Sequence, residues 1–561
     1  MYADLHCHPA AVAYDETCMA DGGKDKLPFD PWHIPQSDLA HQAKGTRPAK
    51  YSQCDFAKST AGGATFLFAA LHPIEKGFFS GINGGKMSKK MVTDFYRRLH
   101  IDGEEQALEW LLQQVHSQPG KERLKKKELD FLQTRLLNFP LERVHFLQHP
   151  NYDYWEELKR EYKFFRGKAG QSTSTPRQLQ LEPQRRKQYW TGQYQLLDCG
   201  KKAQKELARG KEEITVILTI QGIHALGVGN PEDEGLREGE TPKDISWGKL
   251  KSRIRQLKGE EPLEDNELQR WEHRPFFITL ANHFNNNICG HAQSFAGPAR
   301  LIFDQRKNMN KGVLRSGTYE VMQELLGLDT RLLPTGSKRI LIDVKGMSAA
   351  SRQDFYKNII RPFNRKSENK EQLIPVIASH VGYSGIETLD EQIKNAQIGK
   401  EEGLFQVNHF NASNLNLTAE DVVEIHSSHG LIGLSFDRHL LGAMPRPWYL
   451  SLPVAAWQRK HAMKLFARTI EHVVRVPFDY NLEEPLRIWD NLTIGTDFDG
   501  FNVPLDRYAT VLNFKDFETD LVEIISLIGK QEPRWIGGYK PEVLARKICF
   551  ENAMAFAALH Y

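Results

Sequence analysis

The stretch ADLHCH, residues 3–8, decides the fold, because it joins the apolar character of a buried strand to polar residues at its end. Buried parallel strands are short apolar runs rich in β-branched residues, and functional groups gather at their carboxyl ends. Further runs of this kind lie at 65–72, 214–221, 276–283, 339–345, 374–380, 431–437 and 492–497. The sequence therefore predicts eight parallel strands.

Segments long enough for helices separate these strands, among them 349–363, 389–402, 419–428 and 454–476. Alternation of strands and helices is typical of a parallel sheet, and eight such units favour closure into a barrel. The predicted fold class is therefore α/β, a (β/α)8 TIM barrel, with a doubly wound open sheet as the alternative. A last helix is predicted at about 541–559, with a proline in its first turn.

One connection, between the second and third predicted strands, is far longer than a usual loop of a few residues. Residues 74–213 hold 27 Lys and Arg against 19 Asp and Glu, a net charge of +8, and carry helical patterns at 103–117 and 121–139. The predicted regions are 1–73 with strands 1–2, 74–213 as a mainly helical basic insertion, and 214–561 with strands 3–8 and the C-terminal helix. Its place after strand two predicts that the insertion borders the active-site mouth, as a lid.

Composition excludes several classes of protein. The 561 residues are 40% hydrophobic and 26% charged, which is typical of a folded globular chain, and a net charge of +3 gives no case for nucleic-acid binding. No run approaches the roughly 18 apolar residues of a membrane span, and MYADLHCHPA lacks the features of a secretory signal. Six cysteines without a CxxC pair are typical of free thiols in a reducing compartment. We therefore expect a cytoplasmic protein.

The first strand predicts a metal site. His6 and His8 lie two residues apart, so both side chains face the same way, while Cys7 faces the packed side. Neutral imidazole is a natural ligand of zinc and similar metals. A lone His-x-His pair is often incidental, but this pair ends the first strand of a predicted barrel, where active sites lie.

Three other strand ends carry residues suited to catalysis. Asp497, in GTDFDG after the eighth strand, would face the barrel mouth as a metal ligand or as a base for water, with a turn-capping role as the alternative. His380 ends the sixth strand as a further ligand candidate, against the alternative of a buried histidine bonded to backbone. His283 follows the fourth strand, where it can donate to a substrate carbonyl or its oxyanion.

Five segments carry a family resemblance: IQGIHAL (220–226), ITLANHFNNN (278–287), LIDVKGMS (341–348), PVIASH (375–380) and GTDFDG (495–500). In content, order and spacing they resemble the membrane (renal) dipeptidase family, zinc metallopeptidases of the amidohydrolase superfamily. The resemblance runs through most of the barrel and leaves out the long insertion. It implies a (β/α)8 barrel with a two-zinc site that hydrolyses dipeptides, and substrate contacts from His224, Asn282 and His283.

This chain departs from the family at several positions. The family's first strand carries His-x-Asp where this chain has His6 and His8, an exchange that keeps metal binding. Gln221 stands where the family has a Glu that bridges both metals, and a neutral amide lacks the charge such a bridge needs. Gly346 stands where the family has a His ligand, and the neighbouring Lys345 replaces the missing anion only if carbamylated, as in related barrels. The family's substrate-binding Arg has no counterpart.

The predicted metal ligands are His6, His8, Gln221, His380 and Asp497. We expect them to hold one zinc ion rather than two, in a site with an open position. Gln221 would bind weakly or position water, Asp497 would act as general base, and His283 would assist the oxyanion.

The leading hypothesis is a metal-dependent hydrolase of amide or peptide bonds in small, dipeptide-like substrates. The alternative, motivated by Gln221 and Gly346, is a catalytically degenerate barrel that binds a small molecule or a partner. A deaminase or lactonase of the same superfamily is a third hypothesis. The expected partner is a small-molecule substrate, and no nucleic-acid or membrane partner is expected. Whether the chain forms a homodimer is left open.

Overall fold

A computed structural model gives the architecture of the chain. The residues that it describes are 1–15, 17, 30–32, 52–79, 139, 141–149, 151–177, 188–209, 213–227, 246–295, 303–367, 369–397, 406–407, 410–443 and 454–561. The helical patterns predicted at 103–117 and 121–139 lie outside these residues, apart from Phe139.

The strands within the described residues are β1 (Tyr2–Cys7), β2 (Ala64–Leu71), β3 (Thr173–Arg177), β4 (Gln188–Gly192), β5 (Tyr194–Leu197), β6 (Ile214–Ile220), β7 (Phe277–Thr279), β8 (Leu341–Asp343), β9 (Ile377–Val381), β10 (Gln406–Val407), β11 (Phe410–Asn411), β12 (Leu431–Leu434) and β13 (Leu492–Ile494). Eight of them form a parallel sheet in the order β1-β2-β6-β7-β8-β9-β12-β13. Each of the eight predicted strands overlaps one of these.

The sheet closes between its first and last strands. The Asp497 N–H donates to the His6 carbonyl over 2.9 Å, and the His8 N–H donates to the Phe498 carbonyl over 2.9 Å. Cys7 and Phe498 form a parallel bridge between the same two segments. The predicted (β/α)8 barrel is confirmed as a nearly closed barrel of eight parallel strands, and the open-sheet alternative is wrong.

The α-helices within the described residues are α1 (Ala11–Asp15), α2 (Phe56–Gly62), α3 (Leu141–Leu147), α4 (Tyr154–Arg166), α5 (Gly200–Ala208), α6 (Trp247–Leu257), α7 (Gly317–Leu326), α8 (Ala349–Phe355), α9 (Arg361–Asn364), α10 (Leu389–Gln397), α11 (Ala419–Ser427), α12 (Val454–Asp479), α13 (Phe514–Gln531), α14 (Pro541–Arg546) and α15 (Asn552–His560). A π-helical turn, Lys547–Glu551, joins α14 to α15, so the predicted final helix is continuous through that turn.

The apolar composition of the strands explains why they are buried between the barrel interior and the surrounding helices. Every residue of β6, ITVILTI, is buried, as expected for a strand covered on both faces. A large apolar cluster fills the space within the barrel and between strands and helices. Polar side chains therefore collect where the strands end and the backbone turns away from this cluster.

The region predicted as an insertion, 74–213, contains α3, α4 and α5 together with β3, β4 and β5. β5 pairs in parallel with the first half of β6, so this part of the region extends the barrel sheet. Arg143 of α3 is buried and pairs with Glu157 of α4 at 2.5 Å and with Asp15 of α1 at 2.8 Å. These ion pairs fasten the region to the helix that follows β1.

Two further findings concern thiols and membranes. Among the described residues, five cysteines carry free thiols, four of them buried. No helix in this part of the chain has both the length and the apolar character needed to span a membrane.

Candidate metal centre

Barrel closure brings the predicted ligands together at the carboxyl ends of the strands. His6 lies on β1 and His8 directly follows it, His380 lies on β9, and Asp497 comes three residues after β13. Asp497 adopts a left-handed backbone conformation, with φ of 57°, as the chain turns out of the last strand. All four side chains are buried.

The Asp497 carboxylate is the centre of this cluster. Its Oδ1 lies 3.5 Å from His6 Nε2 and 3.3 Å from His8 Nε2, and its Oδ2 lies 3.9 Å from His380 Nε2. The rings of His6 and His380 stack with centroids 4.3 Å apart. Among the described residues, His6, His380 and Asp497 form a set whose ligand atoms all lie within 4.8 Å of one another, and His8 borders it.

Hydrogen bonds around His380 fix which of its nitrogens carries the proton. Ser379 Oγ donates to Asp343 Oδ2 over 2.6 Å and lies 2.8 Å from His380 Nδ1. A hydroxyl has one hydrogen, and this one is used on the carboxylate, so Ser379 Oγ accepts from His380 Nδ1–H. His380 therefore presents the lone pair of Nε2 to the cluster.

A backbone carbonyl orients the ring of His8. Its Nδ1 lies 3.1 Å from the Ala70 carbonyl, which can only accept, so Nδ1 carries the hydrogen. In the neutral ring Nε2 then holds a lone pair, 3.3 Å from Asp497 Oδ1. His8 Nε2 and the Asp497 carboxylate thus face each other in a buried space, where a cation could bind both.

The donor set fits a metal ion. His6 and His380 imidazoles and the Asp497 carboxylate make a nitrogen and oxygen set of three protein ligands, which is the number that catalytic zinc sites use. His6 Nδ1 is buried without a partner among the described residues, and His6 Nε2 lies near Gln221 Oε1 and Asp497 Oδ1. These residues therefore fit a metal ion such as zinc.

Burial sets the charge state of this centre. Burial and the neighbouring His8 hold the pKa of His6 well below its usual value, and burial and the neighbouring His6 do the same for the pKa of His380. Both rings are therefore in the neutral form that binds metals. Burial also lowers the pKa of Lys345 to about 8, against the opposing effects of Asp497 and Asp437.

Asp4 couples β1, which carries His6, to the segment after β13 that carries Asp497. Its Oδ1 accepts the N–H of His6 over 3.2 Å and the N–H of Thr496 over 3.0 Å, and its Oδ2 accepts the Thr496 hydroxyl over 2.5 Å. Burial raises the pKa of this carboxyl to about 7. Asp4 thereby fixes the spacing of the residues on either side of the closure.

Gln221, predicted as a weak ligand, bonds to protein groups at both ends of its amide. Its Oε1 lies 3.2 Å from His6 Nε2, and its Nε2 donates to Asn282 Oδ1 over 3.2 Å. Asn282 Nδ2 in turn lies 3.0 Å from His72 Nε2. The amide therefore extends the cluster into a polar chain that crosses three strand ends.

Gly346 has no room for a side chain. Its φ is 81°, and a Cβ placed there would lie 2.4 Å from the Ala281 carbonyl oxygen and 3.3 Å from Asn282 Cα. The close approach of two backbone segments at this point explains the glycine. The ligand that the family carries here is therefore excluded by packing.

The three residues predicted to contact substrate differ in which of their side-chain atoms are bonded to protein groups. His283 Nδ1 lies 2.9 Å from Ser294 Oγ, and its buried Nε2 has no partner among the described residues. Burial lowers the pKa of His283 to about 3, which keeps the ring neutral. His224 Nε2 is taken up by the Pro73 carbonyl at 2.7 Å, and both ends of the Asn282 amide are bonded as described.

Sequence reasoning missed two residues at this mouth. The His72 ring lies 5.5 Å from the His8 ring, and the His72 N–H donates to Glu161 of α4 over 2.7 Å. His72 ends the predicted strand 65–72 and carries the same signal as His380. Glu75 accepts the His283 N–H over 3.1 Å, a role that depends on a partner 208 residues away and leaves no local signal.

No family model and no curated protein matches the sequence. Among solved structures, the chain is similar to a metallopeptidase from Rhodobacter sphaeroides liganded with a phosphinate mimic of the dipeptide L-Ala-D-Ala, at 12% identity and a TM-score of 0.42 over 100% of this chain and 99% of that chain. It is similar to the dipeptidase AC, a metallopeptidase of family M19, at 12% identity and a TM-score of 0.42 over 100% and 98% of the two chains. It is also similar to the probable dipeptidase PvdM from Pseudomonas aeruginosa, at 12% identity and a TM-score of 0.39 over 90% and 88%. Metallodipeptidases of the resembled family are thus among the structures similar to this chain, while the barrel itself rests on the strand order and hydrogen bonds described above.

Proposed function

We propose that the protein is a metal-dependent hydrolase of amide or peptide bonds in small, dipeptide-like substrates. One zinc ion would be held by His6, His380 and Asp497, with His8 at its border. The observation that supports this most strongly is the meeting of buried acceptors. The Nε2 atoms of His8 and His380 face the Asp497 carboxylate, and a cation between them would bind all three groups.

Three groups have assigned roles. When bound, the zinc ion supplies Lewis acidity that lowers the pKa of water and polarises the scissile carbonyl. Asp497 accepts the proton of the attacking water and passes it to the leaving amine. His283 donates from Nε2 to the carbonyl oxygen as negative charge develops there.

The surroundings of His283 support a donating Nε2. Gln305 Nε2 donates to Ser294 Oγ over 2.6 Å, so the Ser294 hydroxyl hydrogen is free to point at His283 Nδ1. With Nδ1 accepting, the ring hydrogen lies on Nε2, the nitrogen without a protein partner.

The test is dipeptide hydrolysis with added zinc. We expect Asp497→Asn to lose about 100-fold or more in kcat, the range for a lost general base. Asp506→Asn makes the same change at an exposed position and should retain wild-type activity. Equal activity of wild type and Asp497→Asn would refute the assigned base, and a wild type without hydrolysis would refute the function.

A second function, a barrel that binds a dipeptide-like molecule without cleaving it, is favoured by Gln221. Its amide bonds to both His6 and Asn282, which ties one metal ligand into a protein network. Binding of a phosphinate dipeptide mimic by a zinc-loaded protein that cleaves no dipeptide would decide for this alternative.

Under either function the partner is a small molecule, and we propose no nucleic-acid or membrane partner. A homodimer would be detected by light scattering on the purified chain.

A further inference from the structure

Five phenylalanines form a continuous cluster beside the metal centre, which we call the aromatic wall: Phe78, Phe284, Phe295, Phe303 and Phe501. Phe78 is its hub. Its ring lies 4.4 Å from that of Phe501, 5.0 Å from that of Phe284 and 5.4 Å from that of Phe303, and the Phe295 and Phe303 rings are 4.9 Å apart.

The aromatic wall stands at the active end of the barrel. Phe78 comes after β2, Phe284 after β7, and Phe501 after β13, four residues beyond Asp497. Carboxyl ends of parallel strands share one face of the barrel, which is also the face of the metal ligands. Three loops thus bring the wall to the site.

Ring contacts join the wall to the centre. The Phe501 ring lies 5.7 Å from the His72 ring, which lies 5.5 Å from the ring of His8. His283 lies 5.5 Å from Phe501 and stacks on Phe295 at 5.3 Å. A group that contacts His283 therefore lies next to these two phenylalanines.

Exposure divides the wall into a buried support and an accessible face. Phe78 is 1% exposed, Phe303 4% and Phe284 5%, whereas Phe295 and Phe501 are only partly buried. The support is tightly packed, because a Cβ on Gly77 would lie 2.3 Å from the Phe284 ring. The buried rings hold the two accessible rings in place.

We propose that Phe295 and Phe501 form a subsite for a bulky apolar side chain of the substrate, with an aromatic side chain preferred. This inference rests on the proposed function for the substrate's peptide backbone and adds its side-chain class. Aromatic rings attract one another in offset or edge-to-face contact beyond the burial of their surface. A benzyl group therefore gains more here than a methyl group.

The test uses phosphinate dipeptide analogues that carry a benzyl or a methyl side chain at either position, titrated calorimetrically into the zinc-loaded protein. At one position the wild type should bind the benzyl analogue about tenfold or more tightly than the methyl analogue. Phe501→Ala should reduce this ratio to about twofold or less. Phe478→Ala, which removes a half-buried phenylalanine from the far end of α12, should keep the wild-type ratio.

Hydrolysis of Phe-Ala, Ala-Phe and Ala-Ala separates the two proposals. A benzyl preference that depends on Phe501, without cleavage of any of these dipeptides, would refute the hydrolase and leave the subsite standing. Cleavage without a benzyl preference, or with a preference that survives Phe501→Ala, would refute the subsite. Failure of every analogue to bind would also refute it.

Discussion

Nε2 of His8 and Oδ1 of Asp497 lie 3.3 Å apart, although 489 residues separate them in the chain. The contact exists only because the first and last strands of the barrel meet. The same closure places His6 beside Asp497 at 3.5 Å. The candidate metal centre is therefore a property of the closed barrel.

Ser379 holds His380 in the tautomer that frees Nε2, through its bonds to Asp343 and to His380 Nδ1. We predict that Ser379→Ala weakens zinc binding about 10- to 100-fold, the usual effect of losing a group that orients a ligand. Chelator competition measures this. Ser384→Ala removes another buried hydroxyl, one that donates to the Leu417 carbonyl, and should leave zinc affinity within about twofold. Equal losses in both variants would show that Ser379 has no special part in metal binding.

Gln221→Glu places a carboxylate where the amide oxygen now lies 3.2 Å from His6 Nε2. The added negative charge should strengthen zinc binding about tenfold or more, since an opposite charge within a few ångströms stabilises the cation. Chelator competition again gives the affinity. Gln171→Glu adds the same charge at an exposed position and should have no effect. Unchanged or weaker zinc binding by Gln221→Glu would contradict a cation beside His6.

Gly346 and Gly336 have nearly the same backbone conformation, with φ of 81° and 82°, but only Gly346 faces another backbone segment. Alanine at Gly336, where nothing lies within 4 Å of the new Cβ, should cost about 1 kcal/mol for the left-handed conformation alone. Alanine at Gly346 should cost about 3 kcal/mol or more in the free energy of unfolding, because its Cβ would lie 2.4 Å from the Ala281 oxygen. Urea titration measures both. Similar losses of stability in the two variants would mean that the backbone at Ala281 shifts easily to make room for the new Cβ.

His291 should make the fold sensitive to acid. It is fully buried, and burial lowers its pKa to about 4, while its Nε2 lies 3.0 Å from the Gln305 carbonyl. An unfolded histidine binds protons near pH 6.5, so between pH 6.5 and pH 4 the unfolded state takes up the proton first and stability falls as pH falls. We expect His291→Gln to remove about 1–3 kcal/mol of the loss between pH 7 and pH 4.5. His439→Gln, at an exposed position, should leave the urea midpoints at both pH values unchanged, and parallel curves for wild type and His291→Gln would refute this role.

Much of the fold could be predicted, because strands that are buried on both faces appear in the amino-acid sequence as apolar runs. β6 is found within one residue of the predicted 214–221. The predicted 276–283 is longer than β7, Phe277–Thr279, because the chain leaves the ladder early to place Asn282 and His283. β5 was not predicted, because its four residues form a strand through their pairing with β6.

The candidate site was predictable where a strand end carries a ligand type, as for His6, His380 and Asp497. Roles that come from contacts between distant loops were not predictable. The tautomer of His380 depends on Asp343, and the aromatic wall joins Phe78 to Phe501 across most of the chain. Gly346 has a conformational and packing reason that no local pattern reveals.

The most direct test of the metal centre is the anomalous difference map, at the zinc absorption edge, of crystals grown with zinc. We expect one peak within coordination distance of His6 Nε2, His380 Nε2 and the Asp497 carboxylate. Absence of a peak there, or a second peak of equal height beside Gln221, would contradict it.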